Sequence, residues 1–447
     1  MHNDTIYIPD DVSEILNEFR RYGYEAYVVG GCVRDSLMCR KPHDWDICTN
    51  ATPEQVHSVF DDSGLQIYDT GIQHGTVTIM KSYIGYEVTT YRAETEYSDH
   101  RHPDSVQFAK TLEEDLLRRD FTINAIAYDP KSGLKDPYHG QEDLRFKILR
   151  CVGEPDERFQ EDALRVLRAL RFAAVYGFAI EEKTSEAIFA HAKDLQYVSK
   201  ERIRDELCKM IIGKNLKFIM EKYAPVFAEI IPELEPMFGF QQNNHFHIYD
   251  VWEHTVVAVN AAPTDMIVRM ALLLHDIGKP FSYTTDASGC GHFYGHADIS
   301  ADFAEDILKE LRFDNETSKD IIALIRNHSQ TFDVTPTFAR KMLNKLGEEQ
   351  FSKLIDVREA DVTAQLPSVL EGRLSKVAKI RVITAEIIAN QNCFSMKDLA
   401  VNGHDLIRMG YQPGPKLGQK LQELFAQVLE HPEINEKETL LSMATIR

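Results

Sequence analysis

The stretch Tyr27-Val28-Val29-Gly30-Gly31-Cys32-Val33-Arg34-Asp35, followed by His43-Asp44-Trp45-Asp46-Ile47, decides how the first part of this chain is built. A short β-branched run ends in paired glycines and then enters a helix, so the pattern reads as strand, tight turn, helix. Glycines at such a turn let backbone amides approach a triphosphate, and Arg34 on the following turn supplies neutralising charge. Taken alone, a Gly-Gly turn is more often an ordinary strand-to-helix connection. The DxD that follows changes the balance. On a strand, the period of two places Asp44 and Asp46 on one face and turns Trp45 to the other. Two converging carboxylates suit Mg2+, a hard cation that takes a few carboxylate oxygens together with phosphate and water. Transfer of a phosphoryl-type group needs charge neutralised on the attacking and leaving oxygens, which two metals about 3.5–4 Å apart provide. A DxD in isolation is usually a capping or turn pair; beside Gly-Gly-x-x-Arg the catalytic reading is preferred. Glu87, in Tyr86-Glu87-Val88-Thr89-Thr90-Tyr91-Arg92, is expected to face the same pair as a third acid, the alternative being an exposed strand glutamate paired with a cation.

Outward from this stretch, residues 1–150 read as a small mixed sheet with helices, because β-branched runs at 26–29, 75–80 and 86–91 alternate with helical stretches. From Arg158 onward apolar residues recur at helical spacing, through 163–175, 202–212, 265–274 and 299–311, and the remainder is predicted to be all-α. Pro and Gly clusters at 232–239 and 410–418 are the expected seams. No internal repeat and no low-complexity linker interrupts the chain.

The 447 residues exceed one ordinary core and point to roughly three domains of about 150 residues each. With 43% apolar and 27% charged residues the composition is that of a globular protein, and no run approaches the roughly 18 apolar residues of a membrane span. The start, MHNDTIYIPDD, has neither the basic residues nor the apolar run of a signal peptide, and the seven cysteines form no CxxC pair, so a cytoplasmic protein with reduced thiols is expected. The net charge of −20 speaks against a whole-protein footprint for nucleic acid. Local cations at Arg145, Lys147, Arg150, at Arg165, Arg168, Arg171 and at Arg373, Lys376, Lys379, Arg381 permit RNA binding, although scattered charges of this kind are usually a solvated surface.

Two further segments complete a recognisable set: Arg118-Arg119-Asp120-Phe121-Thr122-Ile123-Asn124-Ala125 and Glu161-Asp162-Ala163-Leu164-Arg165-Val166-Leu167-Arg168-Ala169-Leu170-Arg171-Phe172. On the second, Ala163, Leu167, Leu170 and Ala174 form an apolar stripe with Glu161, Arg165 and Arg168 opposite. Asp162 and Arg165, three residues apart on a helix, would emerge side by side as an acceptor and a bidentate donor, the pair needed to read a base edge. A plain amphipathic helix with a surface ion pair has the same pattern. Together with the Gly30–Gly31 turn and the Asp44/Asp46 pair, these segments resemble the class II tRNA nucleotidyltransferase and poly(A) polymerase family, firmly over residues 20–215. The resemblance implies that Asp44 and Asp46 hold Mg2+ and that Gly31, Arg34 and Arg119 contact the triphosphate. It further implies that Asp162 and Arg165 template CTP or ATP, and that Arg168 and Arg171 help to hold the nucleotide. The implied activity is template-independent addition of CCA to the 3′ acceptor end of tRNA. The segment from Arg92 to Pro103 resembles a loop of CCA-adding and A-adding members that CC-adding ones lack.

The helical half carries a second constellation: Trp252-Glu253-His254, Leu272-Leu273-Leu274-His275-Asp276-Ile277-Gly278-Lys279, Gly295-His296, Arg326-Asn327-His328 and Glu359-Ala360-Asp361. His275 and Asp276 close an apolar helix just before Gly278, a helix stop, so both can enter a crevice joined by His254 and Asp361. The His, His-Asp, Asp order resembles the HD phosphohydrolase superfamily. That resemblance implies one divalent metal on His254, His275, Asp276 and Asp361, with His296 and His328 extending the site to a second. Imidazole with carboxylate suits Mn2+, Ni2+, Fe2+ or Zn2+, and an open coordination position would activate water against a phosphoester, such as a 2′,3′-cyclic or 3′-phosphate end of damaged tRNA. The alternative is a metal site kept for structure.

The expected organisation is therefore a nucleotidyltransferase head over 1–150, a helical neck for base recognition over 151–215, a helical body with the HD domain over 216–370 and a tRNA-binding helical tail over 371–447. Arg202 and Arg204, with the cations after Arg373, are further candidates for gripping the acceptor stem. The competing functions are a poly(A) polymerase or A-adding enzyme with the same head chemistry, and an HD phosphohydrolase whose head only senses nucleotides. A non-catalytic RNA-binding module does not account for the carboxylate pair.

Overall fold

A computed structural model describes residues 6–93, 107–244, 248–390 and 394–445. The chain divides into two compact units, Met1–Ile230 and Ile231–Arg447. The expected mixed sheet with helices, followed by a helical C-terminal part, is the architecture observed.

The first unit is organised by a seven-stranded mixed sheet of β1 (Ala26–Val29), β2 (Ile47–Thr49), β3 (Gln66–Gly71), β4 (Thr76–Lys81), β5 (Ile84–Thr90), β6 (Ala127–Asp129) and β7 (Gly133–Lys135), in the order β3-β4-β5-β2-β1-β6-β7. Its neighbours run antiparallel except β2 and β5, which pair in parallel with Ile47 opposite Val88. Alternation sorts the strands onto two faces. Val28, Ile47, Val77, Ile79, Val88 and Tyr128 pack with α1 (Asp10–Arg21) and α3 (Pro53–Phe60), whereas Val29, Cys48 and Ala127 pack with Leu112 and Leu116 of α4 (Leu112–Leu117). Helix α1 reaches that core through Val12, Ile15, Leu16 and Phe19, an i, i+3, i+4, i+7 stripe. Helix α3 starts on a Thr52–Gln55 capping box with Pro53 at its first position.

Helices α2 (Gly31–Leu37), α5 (Gly140–Phe146), α6 (Pro155–Glu161), α7 (Leu164–Tyr176), α8 (Glu182–Ala190), α9 (Lys200–Ile211), α10 (Leu216–Lys222) and α11 (Ala224–Ile230) complete this unit, with a two-stranded parallel pair of β8 (Ile148–Leu149) and β9 (Ala179–Ile180). The stripe of Ala163, Leu167, Leu170 and Ala174 is buried. Leu164, Val166 and Phe172 join it, each large apolar side chain contributing roughly 1.5–3 kcal/mol relative to exposure.

Among its described residues the second unit is helical apart from one hairpin. It comprises α12 (Val251–Ala261), α13 (Met266–Leu274), α14 (Lys279–Ser282), the hairpin of β10 (Tyr283–Thr285) and β11 (Gly291–Phe293), α15 (His296–Glu310), α16 (Asn315–Asn327), α17 (Pro336–Leu346), α18 (Glu348–Thr363), α19 (Pro367–Ala389), α20 (Gly403–Arg408), α21 (Pro415–Glu430) and α22 (Lys437–Met443). The last three helices share a core of Leu406, Leu424, Val428 and Leu440. Among the described residues no helix is long and apolar enough to cross a membrane.

Two local expectations are corrected. Strand β2 begins at Ile47, so Asp44 and Asp46 lie in the irregular segment leading into it and not on the strand itself. Trp45 still packs on the core. The helix expected over 163–175 does not include Asp162, whose extended backbone (φ −142°, ψ 100°) separates α6 from α7. Helical spacing therefore does not relate Asp162 to Arg165. Residues Glu94 to Pro103 of the loop compared with CCA-adding members lie outside the described residues.

Candidate active sites

The paired glycines do separate jobs. Gly30 closes β1 with φ 79° and ψ −127°, a left-handed conformation that disfavours any side chain. A Cβ there would stand 2.8 Å from Nη1 of Arg119, so the guanidinium lies directly over the turn. Gly31 opens α2 beneath Arg34. The amide of Val29 donates to the carbonyl of Asp46 at 3.0 Å, which ties the carboxylate segment to the same strand end.

The carboxylates gather here. Burial first, then the charges of Asp44 and Glu87, push the Asp46 carboxyl up to about 6, while Arg119 pulls it down. A carboxylate raised in this way by two neighbouring acids is part of a donor set that a hard divalent cation stabilises. The three-ligand clusters whose donor atoms all lie within 4.8 Å of one another, among the described residues, are in the second unit and not here.

Arg34 is buried, 7% exposed. Its Nε reaches Asp35 at 2.9 Å and its Nη1 donates to Asn124 Oδ1 at 2.7 Å. Asn124 donates to Asp120 Oδ1 at 2.9 Å, and Asp120 Oδ2 receives Nε and Nη2 of Arg168 at 2.8 and 2.6 Å. This chain of charge-assisted bonds runs from the glycine turn to α7. Burial raises the Asp120 carboxyl, but Arg168 and the Asn124 hydrogen bond more than offset it and hold the group at about 2. Phe172 sits at the centre of the arginines, with the guanidinium carbons of Arg34, Arg168 and Arg171 at 5.2, 5.4 and 4.1 Å from its ring centroid. Glu206 of α9 lies 2.5 Å from Arg171 Nε and 3.8 Å from Arg168 Nη1.

The structure thus brings Gly31, Asp44, Asp46, Glu87 and Arg119 to one end of the sheet, and links Arg34, Arg168 and Arg171 through Phe172. It does not pair Asp162 with Arg165. Asp162 accepts from Arg202 Nη2 at 2.8 Å and Nη1 at 3.3 Å. Arg165 is held by Glu161 at 2.5 Å and by the carbonyls of Arg158 and Arg118 at 3.0 and 2.9 Å. Asp120, Phe172 and Glu206 were not expected from sequence as parts of the site. The spacing of Asp120 and Asn124 was a usable signal; nothing in the sequence marks Glu206, which reaches the arginines only because α7 and α9 pack together. Other cations considered for RNA are engaged locally, Arg204 with Asp205 at 2.8 Å and Arg381 with Asp356 at 2.9 Å.

In the second unit, all six expected ligands converge. Asp276, 1% exposed, lies between two histidine pairs. Its Oδ2 is 3.4 and 3.1 Å from Nε2 of His254 and His275, and its Oδ1 is 3.5 and 3.7 Å from Nε2 of His296 and His328. Asp361 Oδ1 stands 3.1 Å from His254 Nε2. Every imidazole gives its Nδ1 to a backbone carbonyl, those of Ala364, Leu272, Phe293 and Ile325 respectively, at 3.2, 2.7, 2.7 and 2.6 Å. A carbonyl only accepts, so each Nδ1 carries a proton and each ring turns its Nε2 inward. Burial, the larger cause, lowers the pKa of both His296, to about 4, and His328, so both are neutral near pH 7. Their Nε2 atoms nevertheless face each other at 3.1 Å. Two lone pairs at that distance repel unless a cation lies between or beside them. His275 Nε2 is likewise buried without a hydrogen-bond partner. The donor set fits divalent metal. Gly278 permits the arrangement, since a Cβ there would lie 2.7 Å from the carbonyl oxygen of His296 and keep α15 away.

Comparison with known proteins follows these divisions. The Poly A polymerase head domain matches residues 26–150, the RNA and SrmB-binding site of polymerase A matches 177–237, and tRNA nucleotidyltransferase domain 2 matches 283–444. The chain is 33% identical to the CCA-adding enzyme of Ligilactobacillus salivarius over 457 residues, covering 98% of this chain and 97% of that one. It is 34% identical to that of Enterococcus faecalis over 441 residues, covering 98% and 96%. Among solved structures it resembles the Bacillus stearothermophilus CCA-adding enzyme in complex with CTP, with TM-score 0.66, 28% identity and 97% and 95% coverage. The Thermotoga maritima CCA-adding enzyme complexed with tRNA shares the fold, with TM-score 0.62, 19% identity and 97% and 95% coverage.

Proposed function

Because this chain belongs to the CCA-adding enzyme family of nucleotidyltransferases, we propose that it completes the 3′ end of tRNA in the cytoplasm with CTP and ATP, using its own carboxylates and arginines as described below. Residues 1–150 act as the catalytic head, 151–215 as the base-reading neck, 216–370 as a body with a metal-dependent hydrolase site, and 371–447 as the tail that contacts tRNA. The observation that carries the reading is the crowding of Asp46 by Asp44 and Glu87, beside a glycine turn roofed by Arg119.

Asp44, Asp46 and Glu87 would hold Mg2+, whose bound form, as a pair of ions, neutralises the attacking and leaving oxygens of nucleotidyl transfer. Arg119 lies over the turn where the triphosphate would rest, and Arg34, fixed by Asp35 and Asn124, adds positive charge beside it. The 3′-oxygen of the tRNA bonds to the α-phosphorus of CTP or ATP as the bond to pyrophosphate breaks. Asp162 supplies acceptor oxygens for the exocyclic amino group of cytosine or adenine, and Arg165 a donor fork. Arg168 and Arg171, held at one ring by Asp120 and Glu206, secure the nucleotide. Charge held in this cluster accommodates a negative substrate although the chain carries −20 overall.

The test is addition to tRNA lacking CCA, with CTP and ATP and product length resolved. Three added nucleotides, abolished in Asp44→Ala and Asp46→Ala, support the reading. An open-ended A ladder on varied RNA replaces it with a poly(A) polymerase. Addition that survives loss of both aspartates leaves the head as a nucleotide sensor.

A second activity is favoured by the four inward-facing imidazoles. His254, His275, Asp361 and Asp276 Oδ2 would hold one divalent metal, and His296, His328 and Asp276 Oδ1 a second. A bound transition metal there lowers the pKa of water for attack on a phosphoester. Unchanged hydrolysis of 2′,3′-cyclic nucleotide by His275→Ala and Asp276→Ala would leave the site a structural one.

A further inference from the structure

We propose that Arg373 is the residue that binds the terminal phosphate of a phosphoester in the second-unit cavity, an inference that rests on the hydrolase reading of that site. The imidazole cluster opens into a cavity of about 340 Å3 whose wall includes Asp276, His296, His328 and Asp361. That volume lies at the small end of the range of about 300–1,000 Å3 for ligand sites and suits a single ribose phosphate better than a duplex segment.

Three cations share this wall: Lys279, Arg358 and Arg373. Two of them serve the ligand set. Lys279 is 5% exposed, with its Nζ 2.7 Å from Asp276 Oδ2 and 2.8 Å from Gln242 Oε1. Arg358 places Nη1 2.8 Å from Asp361 Oδ2 and 3.3 Å from the His328 carbonyl, so it fixes a carboxylate whose other oxygen faces His254. Arg373 enters from another helix, α19, and donates to the side-chain carbonyl of Gln365, whose Nε2 lies 3.5 Å from Asp361 Oδ1. A neutral amide thus stands between this guanidinium and the carboxylate.

The charge balance of the cavity points to an anion. Its two carboxylates face Lys279 and Arg358 as well as the imidazoles, and any divalent metal they hold adds positive charge to the same wall. Burial first, then the charge of Arg358, weakens the basicity of Arg373, with Asp361 opposing both. The planar fork of arginine matches phosphate in two-point geometry, and Arg373 reaches the same wall as His296 and His328.

The test uses the full chain loaded with Mn2+. Metal content is read first by mass spectrometry, and binding of inorganic phosphate is then measured by isothermal titration. The phosphate sites of the head are common to all variants and cancel in the comparison. Arg373→Ala is expected to keep wild-type metal content and to bind phosphate at least tenfold more weakly, with Arg373→Lys recovering part of the loss. Phosphate affinity unchanged in Arg373→Ala at equal metal content overturns the role of this arginine while leaving the hydrolase reading standing. Wild-type protein that retains no metal overturns both, and that result is seen before any phosphate is added.

Discussion

Asp162 and Arg202 form a two-point ion pair at the break between α6 and α7, with contacts of 2.8 and 3.3 Å. The carboxylate proposed to read the base is therefore oriented by α9, while Arg165 is oriented by Glu161 and two carbonyls. Charge-assisted bonds of this kind contribute roughly 1.5–3 kcal/mol. Arg202→Ala is expected to raise KM for CTP and ATP about tenfold, with a smaller change in kcat. Steady-state addition to truncated tRNA measures both, and unchanged KM values for the two nucleotides would remove Arg202 from recognition.

Gly30 is predicted to tolerate no side chain. Its φ of 79° costs about 1–3 kcal/mol for a non-glycine residue, and a Cβ would displace Arg119 from 2.8 Å. Displacing a phosphate-holding group by about 1 Å can cost on the order of 100-fold in rate. Gly30→Ala is expected to lower the melting temperature by a few degrees and to reduce CTP addition by at least tenfold. A variant as active as wild type would separate the turn from the triphosphate.

The Asp120–Arg168 pair sets a pH dependence. The Asp120 carboxyl is held at about 2, below its ordinary 3.8, because Arg168 and Asn124 outweigh burial. A lowered folded-state pKa contributes stability above the unfolded value, and that contribution is lost as pH falls through about 2. The difference corresponds to about 2 kcal/mol at neutral pH. Denaturant unfolding should therefore find Asp120→Asn less stable than wild type by about that amount at pH 7, with the gap narrowing between pH 4 and pH 2. A gap independent of pH would mean that the carboxylate charge is not what Arg168 needs.

Metal removal should act on the second unit. Chelation leaves His296 and His328 with opposed lone pairs at 3.1 Å, so it is expected to lower the melting temperature, with recovery when Mn2+ is returned. Asp276→Ala, which removes the carboxylate between the two histidine pairs, should bind no more than half the wild-type metal and lose hydrolysis by at least 100-fold. Addition of CTP and ATP to tRNA by this variant is expected to continue.

Much of this was legible in the linear chain. The alternation around Val28 and Val88 and the stripe of Ala163, Leu167, Leu170 and Ala174 follow from side-chain periodicity, which depends only on local geometry. The ligand residues His254, His275, Asp276, His296, His328 and Asp361 were legible by type and order, since few other roles gather imidazoles and carboxylates in that sequence. What tertiary structure alone decided are the partnerships between residues far apart in the chain. The sequence put Asp162 next to Arg165, but a break in the backbone at Asp162 gives its carboxylate to Arg202 forty residues away. Phe172 reads as one more core aromatic, and becomes the ring shared by three guanidinium groups only when α7 is set against the glycine turn. Local periodicity fixes which face of an element is apolar; the partner of a buried charge is fixed by whichever opposite charge the packed elements bring within reach, and that is a property of the whole fold.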